Sequence, residues 1–265
     1  MKEFIILKYL KKITILLFIS LFIYNPASAT ELKNLSEAVD MAGKQRMFTQ
    51  KMLKNYAMIG MNNTFGNPKE DLKNITDEFE NHIELLYNFT KDEAVKKSIK
   101  EVKKVWTPIK QTLSLTPNKE SAEKLQEDLE ILLKTTDNTT KLFAKLTDKH
   151  YGEIINISGR QRMLSQRMAS LYMLKVWGVD DPKFTQKMKE TMTLFKTSLD
   201  KLLLYDKNTP EITKLLNKTQ RSFKFFEFMN KSSTKFIPSL IYKKSNEILK
   251  DMNRATNLYT AIENK

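Results

Sequence analysis

The feature that most constrains this chain is a ten-residue stretch that occurs twice. Gly43-Lys-Gln-Arg-Met-Phe-Thr-Gln-Lys-Met52 returns 116 residues later as Gly159-Arg-Gln-Arg-Met-Leu-Ser-Gln-Arg-Met168. Between Gly43–Tyr56 and Gly159–Tyr172 half the positions are identical. Most of the others exchange Lys for Arg, Thr for Ser or Phe for Leu. The same offset relates Phe79 to Phe195, Leu133-Lys134 to Leu249-Lys250, Thr140 to Thr256 and Leu142 to Leu258. Matches held in one register over about a hundred residues are the mark of an internal repeat. The reading is a tandem duplication, with residues 30–150 as the first unit and 151–265 as the second.

Each unit reads as four helices. Leu72, Ile75, Phe79, Ile83 and Leu86 recur at helical spacing, and so do Val95, Ile99, Val102, Trp106, Ile109 and Leu113. Asn67-Pro68, Thr116-Pro117, Asp181-Pro182 and Thr209-Pro210 pair an N-cap residue with proline at the first helical position. Thr90 with Glu93 has the pattern of a capping box. No segment alternates as a strand would. The expected fold is all-α: two tandem antiparallel four-helix bundles related by duplication. At His150-Tyr151-Gly152 there is no proline, so the last helix of the first unit is expected to continue into the second.

Residues 1–29 have the layout of a signal peptide. Lys2, Lys8, Lys11 and Lys12 precede the apolar run Ile13–Tyr24, and Ala27-Ser28-Ala29 supplies a small-residue cleavage site. An uncleaved run would instead anchor the chain in the inner membrane. An exported chain without cysteine has no disulfides and depends on buried apolar area. The net charge is +14; the leader holds four lysines against Glu3, so the remainder keeps +11. For a periplasmic or secreted protein this excess points to an anionic surface or ligand, and nucleic acid is not expected.

Wound at about 100° per residue, the first motif places Met41, Phe48, Met52, Tyr56 and Ile59 on one stripe, the expected core face. Lys44, Lys51 and Lys54 lie opposite, where water is expected. Arg46 falls on a flank with Val39, Ala42, Thr49, Leu53 and Ala57; Arg162 falls likewise beside Ile155, Ser158, Ser165, Ala169 and Met173. A lone arginine among small residues suits a second packing surface. No local carboxylate is evident, so the guanidinium is expected to await an anion, with Thr49 or Ser165 adding a hydrogen bond. The alternative is that each arginine pairs with a carboxylate of its own bundle.

The motif resembles the N-terminal, PilJ-like domain of type IV pilus methyl-accepting chemotaxis transducers, over nearly the whole mature chain. It is also similar to the P-box of nitrate/nitrite-sensing histidine kinases. The pattern Gly-x-x-Arg-Met-x-Ser-x-Arg matches Gly159, Arg162, Met163, Ser165 and Arg167; the first copy keeps Gly43, Arg46 and Met47, with Thr49 for serine and Lys51 for the last arginine. In those kinases the sensor is a periplasmic four-helix bundle, and first-helix arginines from two subunits clasp one nitrate. The resemblance therefore implies anion binding by Arg46, Thr49, Arg162 and Ser165. Gly43, Gln50, Gly159, Gln166 and Arg167 are its expected supports. It also implies a homodimer, or a membrane receptor or kinase as partner. With no second span and no signalling region before Lys265, the chain is expected to act as a module freed from its transducer.

His82 and His150 are far apart and lack a carboxylate cluster, so no metal or cofactor is expected, and no nucleophile–base pair suggests an enzyme. Trp106, Trp177 and the aromatic run Phe223–Phe228 read as packing, and Lys96 to Lys104 as a solvated helix face. The competing reading of the whole chain is a structural or docking protein whose motif flanks serve only helix assembly. Mature protein is expected to begin at Thr30, which N-terminal sequencing of the soluble exported fraction will read. Recovery only with membranes and with Met1 retained would make the leader an anchor.

Overall fold

The computed structural model describes residues 31–147, 149–179, 181–231 and 237–263. The expected signal peptide lies outside the described residues. Among them there is no strand, and eight helices run in order: α1 Leu35–Gly60, α2 Pro68–Phe89, α3 Glu93–Ser114, α4 Lys119–Leu146, α5 Lys149–Trp177, α6 Pro182–Leu203, α7 Pro210–Lys231 and α8 Pro238–Glu263. Also among the described residues, no helix is long and apolar enough to cross a membrane.

The apolar stripes read from the sequence are the buried ones. In α2, Leu72, Ile75, Phe79, Ile83 and Leu86 are buried, and in α3 so are Val95, Ile99, Val102, Trp106, Ile109 and Leu113. Trp177, Phe223 and Phe226 are core residues too, whereas Phe228 is 68% exposed. Leu204 at a helix end and Leu115 in a loop are exposed as well. Lys97, Lys100, Lys103 and Lys104 lie on the solvent face of α3.

Helix starts hold in part. Asp181 accepts from Lys183 N at 2.8 Å and Thr209 from Ile212 N at 3.3 Å, as N-caps should. Asn67 instead takes a left-handed backbone (φ 52) and makes no capping bond; its amide turns to Glu70. Thr116 gives way to Asn118, whose Oδ1 accepts from Ser121 N at 2.8 Å, because the helix starts after the proline rather than on it. The cap of α3 is Asp92 and not Thr90: Asp92 Oδ1 accepts from Val95 N at 2.9 Å, and Thr90 Oγ1 accepts from Asp92 N. A continuous helix across the join is also corrected. Thr147 ends α4 in extended backbone (ψ 164), and α5 begins afresh at Lys149.

The helices form two series of four with the same order of partners. In the first, α1 packs on α2 and α4, and α4 on α3; in the second, α5 packs on α6 and α8, and α8 on α7. Short connections make neighbours antiparallel within each series. The most extensive packing in the body is between α1 and α5 themselves. They run parallel, since partners rise together in number from Gly43 beside Arg162, through Gln50 with Ser170, to Tyr56 with Trp177. The two series therefore lie side by side.

That central position leaves α1 no solvent face along its middle, and residues 45–50 and 52–58 are all buried. Lys54, expected in water, is fully enclosed, because α8 covers its side of the helix.

His82 of α2 is buried against Phe48, with ring centroids 5.4 Å apart. Burial first and Lys44 second push its pKa down to about 4, with Asp40 opposing. In the unfolded chain it takes up its proton near 6.5. Between these values the unfolded state binds more protons, so stability falls as pH drops from about 6.5 towards 4, by up to about 3 kcal/mol. Denaturation measured across that window should show the slope, and His82→Phe should flatten it.

Candidate functional site

The two copies of the motif meet at the glycines. A methyl group built on Gly43 would stand 3.3 Å from Arg46 Nη2 and 3.4 Å from Arg162 Nη2; one built on Gly159 would stand 3.0 Å from Arg162 Nη2 and 3.8 Å from Arg46 Nη2. Both guanidinium heads therefore lie over the crossing of α1 and α5, in space that only glycine leaves free. Each arginine is 1% exposed. Val39, Ala42, Thr49, Leu53 and Ala57 on one flank, and Ile155, Ser158, Ser165, Ala169 and Met173 on the other, are buried as the second packing surface requires.

The structure supplies the counter-ions that the sequence did not reveal. Arg46 Nη1 donates to Asp137 Oδ1 of α4 at 2.7 Å. Arg162 Nη2 lies 2.7 Å from Asp40 Oδ1 of α1, across the junction of the two series, and its Nη1 donates to Asn253 Oδ1 of α8 at 3.1 Å. The expectation of arginines without local carboxylates is thus overturned. In helical-wheel order Asp40 looks remote from Arg46, but it faces the arginine of the other motif.

Burial pushes the Arg46 guanidinium down from its ordinary value; Asp137 opposes this, and Arg160 and Arg162 add repulsion. For Asp40, burial pushes up, but Arg162 and Lys44 outweigh it and hold the carboxyl below its ordinary value. Asp137 follows the same balance, with Lys141 and Arg46 overcoming its burial. Both carboxylates are charged at neutral pH. The buried Arg46 Nε has no hydrogen-bond partner.

Thr49 and Ser165 lie beside the arginines, but each hydroxyl donates to the carbonyl one turn back, to Arg46 O at 2.9 Å and Arg162 O at 2.8 Å. In this state neither proton is free for an anion. The other supports lie further along the junction. Gln50 Oε1 accepts from Ser170, Gln166 Oε1 accepts from Lys54 Nζ at 2.6 Å, and Arg167 pairs with Glu130 of α4 at 2.8 Å. Lys54 also donates to Asn246 Oδ1 at 2.8 Å and sits 4.2 Å from the centre of the Tyr242 ring. Burial pushes its amine well below the ordinary lysine value, Lys51 adds to this and Asp71 opposes.

The residues missed were Asp40, Asp137, Asn156 and Asn253, and the repeat register could have found them. Asp40 and Asn156 are 116 positions apart, and so are Asp137 and Asn253. Asp and Asn differ in charge, so identity matching passes over them, yet they are nearly isosteric, and Asp40, Asp137 and Asn253 each lie against a motif arginine. Surface grooves such as that between α2 and α3, lined by Glu80, Trp106 and Lys110, lie apart from this junction.

The class of protein so defined is an all-helical bundle domain with a charged seam between its two central helices. The type IV pili methyl-accepting chemotaxis transducer N-terminal family matches residues 28–132 and 147–224, more than half of the chain, and the chain belongs to that family. It is a family of sensing and signalling domains, not a catalytic one. No curated protein and no solved structure matches the chain significantly.

The pairing makes a definite demand on stability. Arg162→Ala should break the pair with Asp40 but leave Asp40 its contact with Lys44, and so cost about 1.5–3 kcal/mol, as losing a hydrogen-bonded charged partner does. Asp40→Ala in the same background should recover part of that loss. Denaturant unfolding of the two single variants and the double variant gives the coupling.

Proposed function

We propose that this chain is a sensor-type module that binds a small oxyanion, nitrate or nitrite first, between Arg46 and Arg162 and acts with a separate signalling partner. The observation that carries this reading is the convergence of two buried guanidinium groups over Gly43 and Gly159. Like charges repel strongly out of water, so such a meeting favours an anion between them. The unmet Arg46 Nε is a further donor there. A planar oxyanion matches the guanidinium fork, which is why arginine rather than lysine suits the position.

Residues 30–150 and 151–265 are read as two copies of one unit, supported by the matched register and the repeated order of helix packing. One chain would then bring together the pair of first helices that nitrate-sensing kinases draw from two subunits, and a homodimer would not be needed to complete the site. Family membership supports a periplasmic placement and a membrane receptor or kinase as partner.

The second reading, a structural or docking protein, is favoured by one observation: Asp40 and Asp137 already balance both arginines. Thermal unfolding of the mature protein in nitrate, nitrite and chloride separates the two. The sensor reading expects a rise in Tm with nitrate or nitrite beyond that with chloride. Arg162→Lys, which keeps the charge but loses the fork, should weaken binding roughly ten- to a hundredfold. If no oxyanion shifts the wild type, the docking reading replaces it.

A further inference from the structure

We propose that Asp40 is an internal occupant of the anion site: a carboxylate that holds Arg162 across the α1–α5 junction and that an incoming oxyanion displaces. This rests on the anion-binding reading above. Binding then does more than fill a pocket. It cuts the ion pair that ties the second turn of α1 to α5.

Three observations single out Asp40. The first is redundancy. Arg162 also donates to Asn253 Oδ1 at 3.1 Å and to Gly159 O at 3.4 Å, whereas Arg46 has Asp137 as its acceptor and an unmet Nε. Arg162 therefore keeps partners when its carboxylate leaves, so its pair is the easier of the two to replace. The second is connectivity. Asp137 binds an arginine of its own series, and Asp40 binds the arginine of the other, so its loss is felt between α1 and α5.

The third is a place to go. Lys44 Nζ lies 3.2 Å from Asp40 Oδ2, one turn along α1, and its side chain is 35% exposed. Turning towards Lys44, Asp40 keeps a cation and gains water, so displacement does not strand a bare carboxylate in the interior.

Charge balance requires some such step. Two guanidinium groups already face two carboxylates, and the corresponding acceptors of the other series, Asn156 and Asn253, are neutral. A third anion entering without any departure would be repelled by both carboxylates in a medium of low dielectric. Asn156 Oδ1, at the position matching Asp40, is buried without a hydrogen-bond partner and carries no charge to compete.

The test uses nitrate and the mature chain. Asp40→Asn keeps the shape and removes the competitor; Asn156 shows that the amide is accepted at the matching position. By titration calorimetry this variant should bind nitrate roughly tenfold more tightly than the wild type. Asp137→Asn should gain less. Because the chain has no cysteine, Lys33→Cys and Glu153→Cys can carry a pair of spin labels near the starts of α1 and α5.

Nitrate should lengthen or broaden that distance in the wild type, and Asp40→Asn should show the change without nitrate. Equal affinity in wild type and Asp40→Asn, or a wild-type distance that nitrate leaves unmoved, overturns the displacement while the anion site stands. Absence of nitrate binding in both proteins overturns the site itself, and the displacement with it.

Discussion

The meeting of Arg46 and Arg162 out of water is the interaction on which the arrangement of the other parts depends. Two guanidinium groups at the crossing of α1 and α5 need room, which Gly43 and Gly159 provide, and they need opposite charge, which Asp40 and Asp137 provide. Burying these four charges is costly, and a hydrophobic replacement of equal volume could hold two helices together as well or better. What the charges add is register. A guanidinium that must reach a carboxylate on another helix fixes the sliding and rotation of α1 on α5, as apolar contacts alone do not.

The same reasoning explains the polar residues further along. Gln50 with Ser170 and Lys54 with Gln166 are reciprocal contacts, each joining a position of one motif helix to the repeat equivalent of its neighbour on the other. The symmetry is broken by composition and not by geometry: the first series contributes Asp40, Asp137 and Lys54 where the second has Asn156, Asn253 and Ser170. One half has kept the charges and the other the neutral counterparts, so the seam carries a near balance that two identical halves would lack. Two charged copies would place four carboxylates around two arginines, and two neutral copies would leave the arginines unbalanced.

Much of this was legible in the sequence, because helical periodicity and a repeat register are local facts. The stripes Leu72–Leu86 and Val95–Leu113 are buried as their spacing demands, and the flank around Arg46 is a packing surface as its small residues suggest. The failures come from long-range contacts. Lys54 was placed in water because a helical wheel shows only two faces, and α1 has neighbours on every side. Asp40 was passed over because its partner belongs to the other series, 122 positions away. The cap errors have a different cause: short polar side chains crowd the helix starts, and local backbone geometry decides which one bonds.

A helix enclosed on all sides also limits how the molecule can respond to a ligand. If α1 moved as a rigid rod it would have to break its contacts with α2, α4, α5 and α8 together, a cost that no small anion could meet by differential binding. A change confined to one end is far cheaper. The junction is tied by Arg162 with Asp40 near the start of α1, by Glu130 of α4, which receives both Gln50 of α1 and Arg167 of α5 further along, and by the buried Lys54 network beyond the middle. Loosening the first tie while the other two hold would let α1 pivot about its middle instead of sliding. Small charge changes at an otherwise rigid, well-packed seam can then give displacement at the start of α1, where a partner could read it.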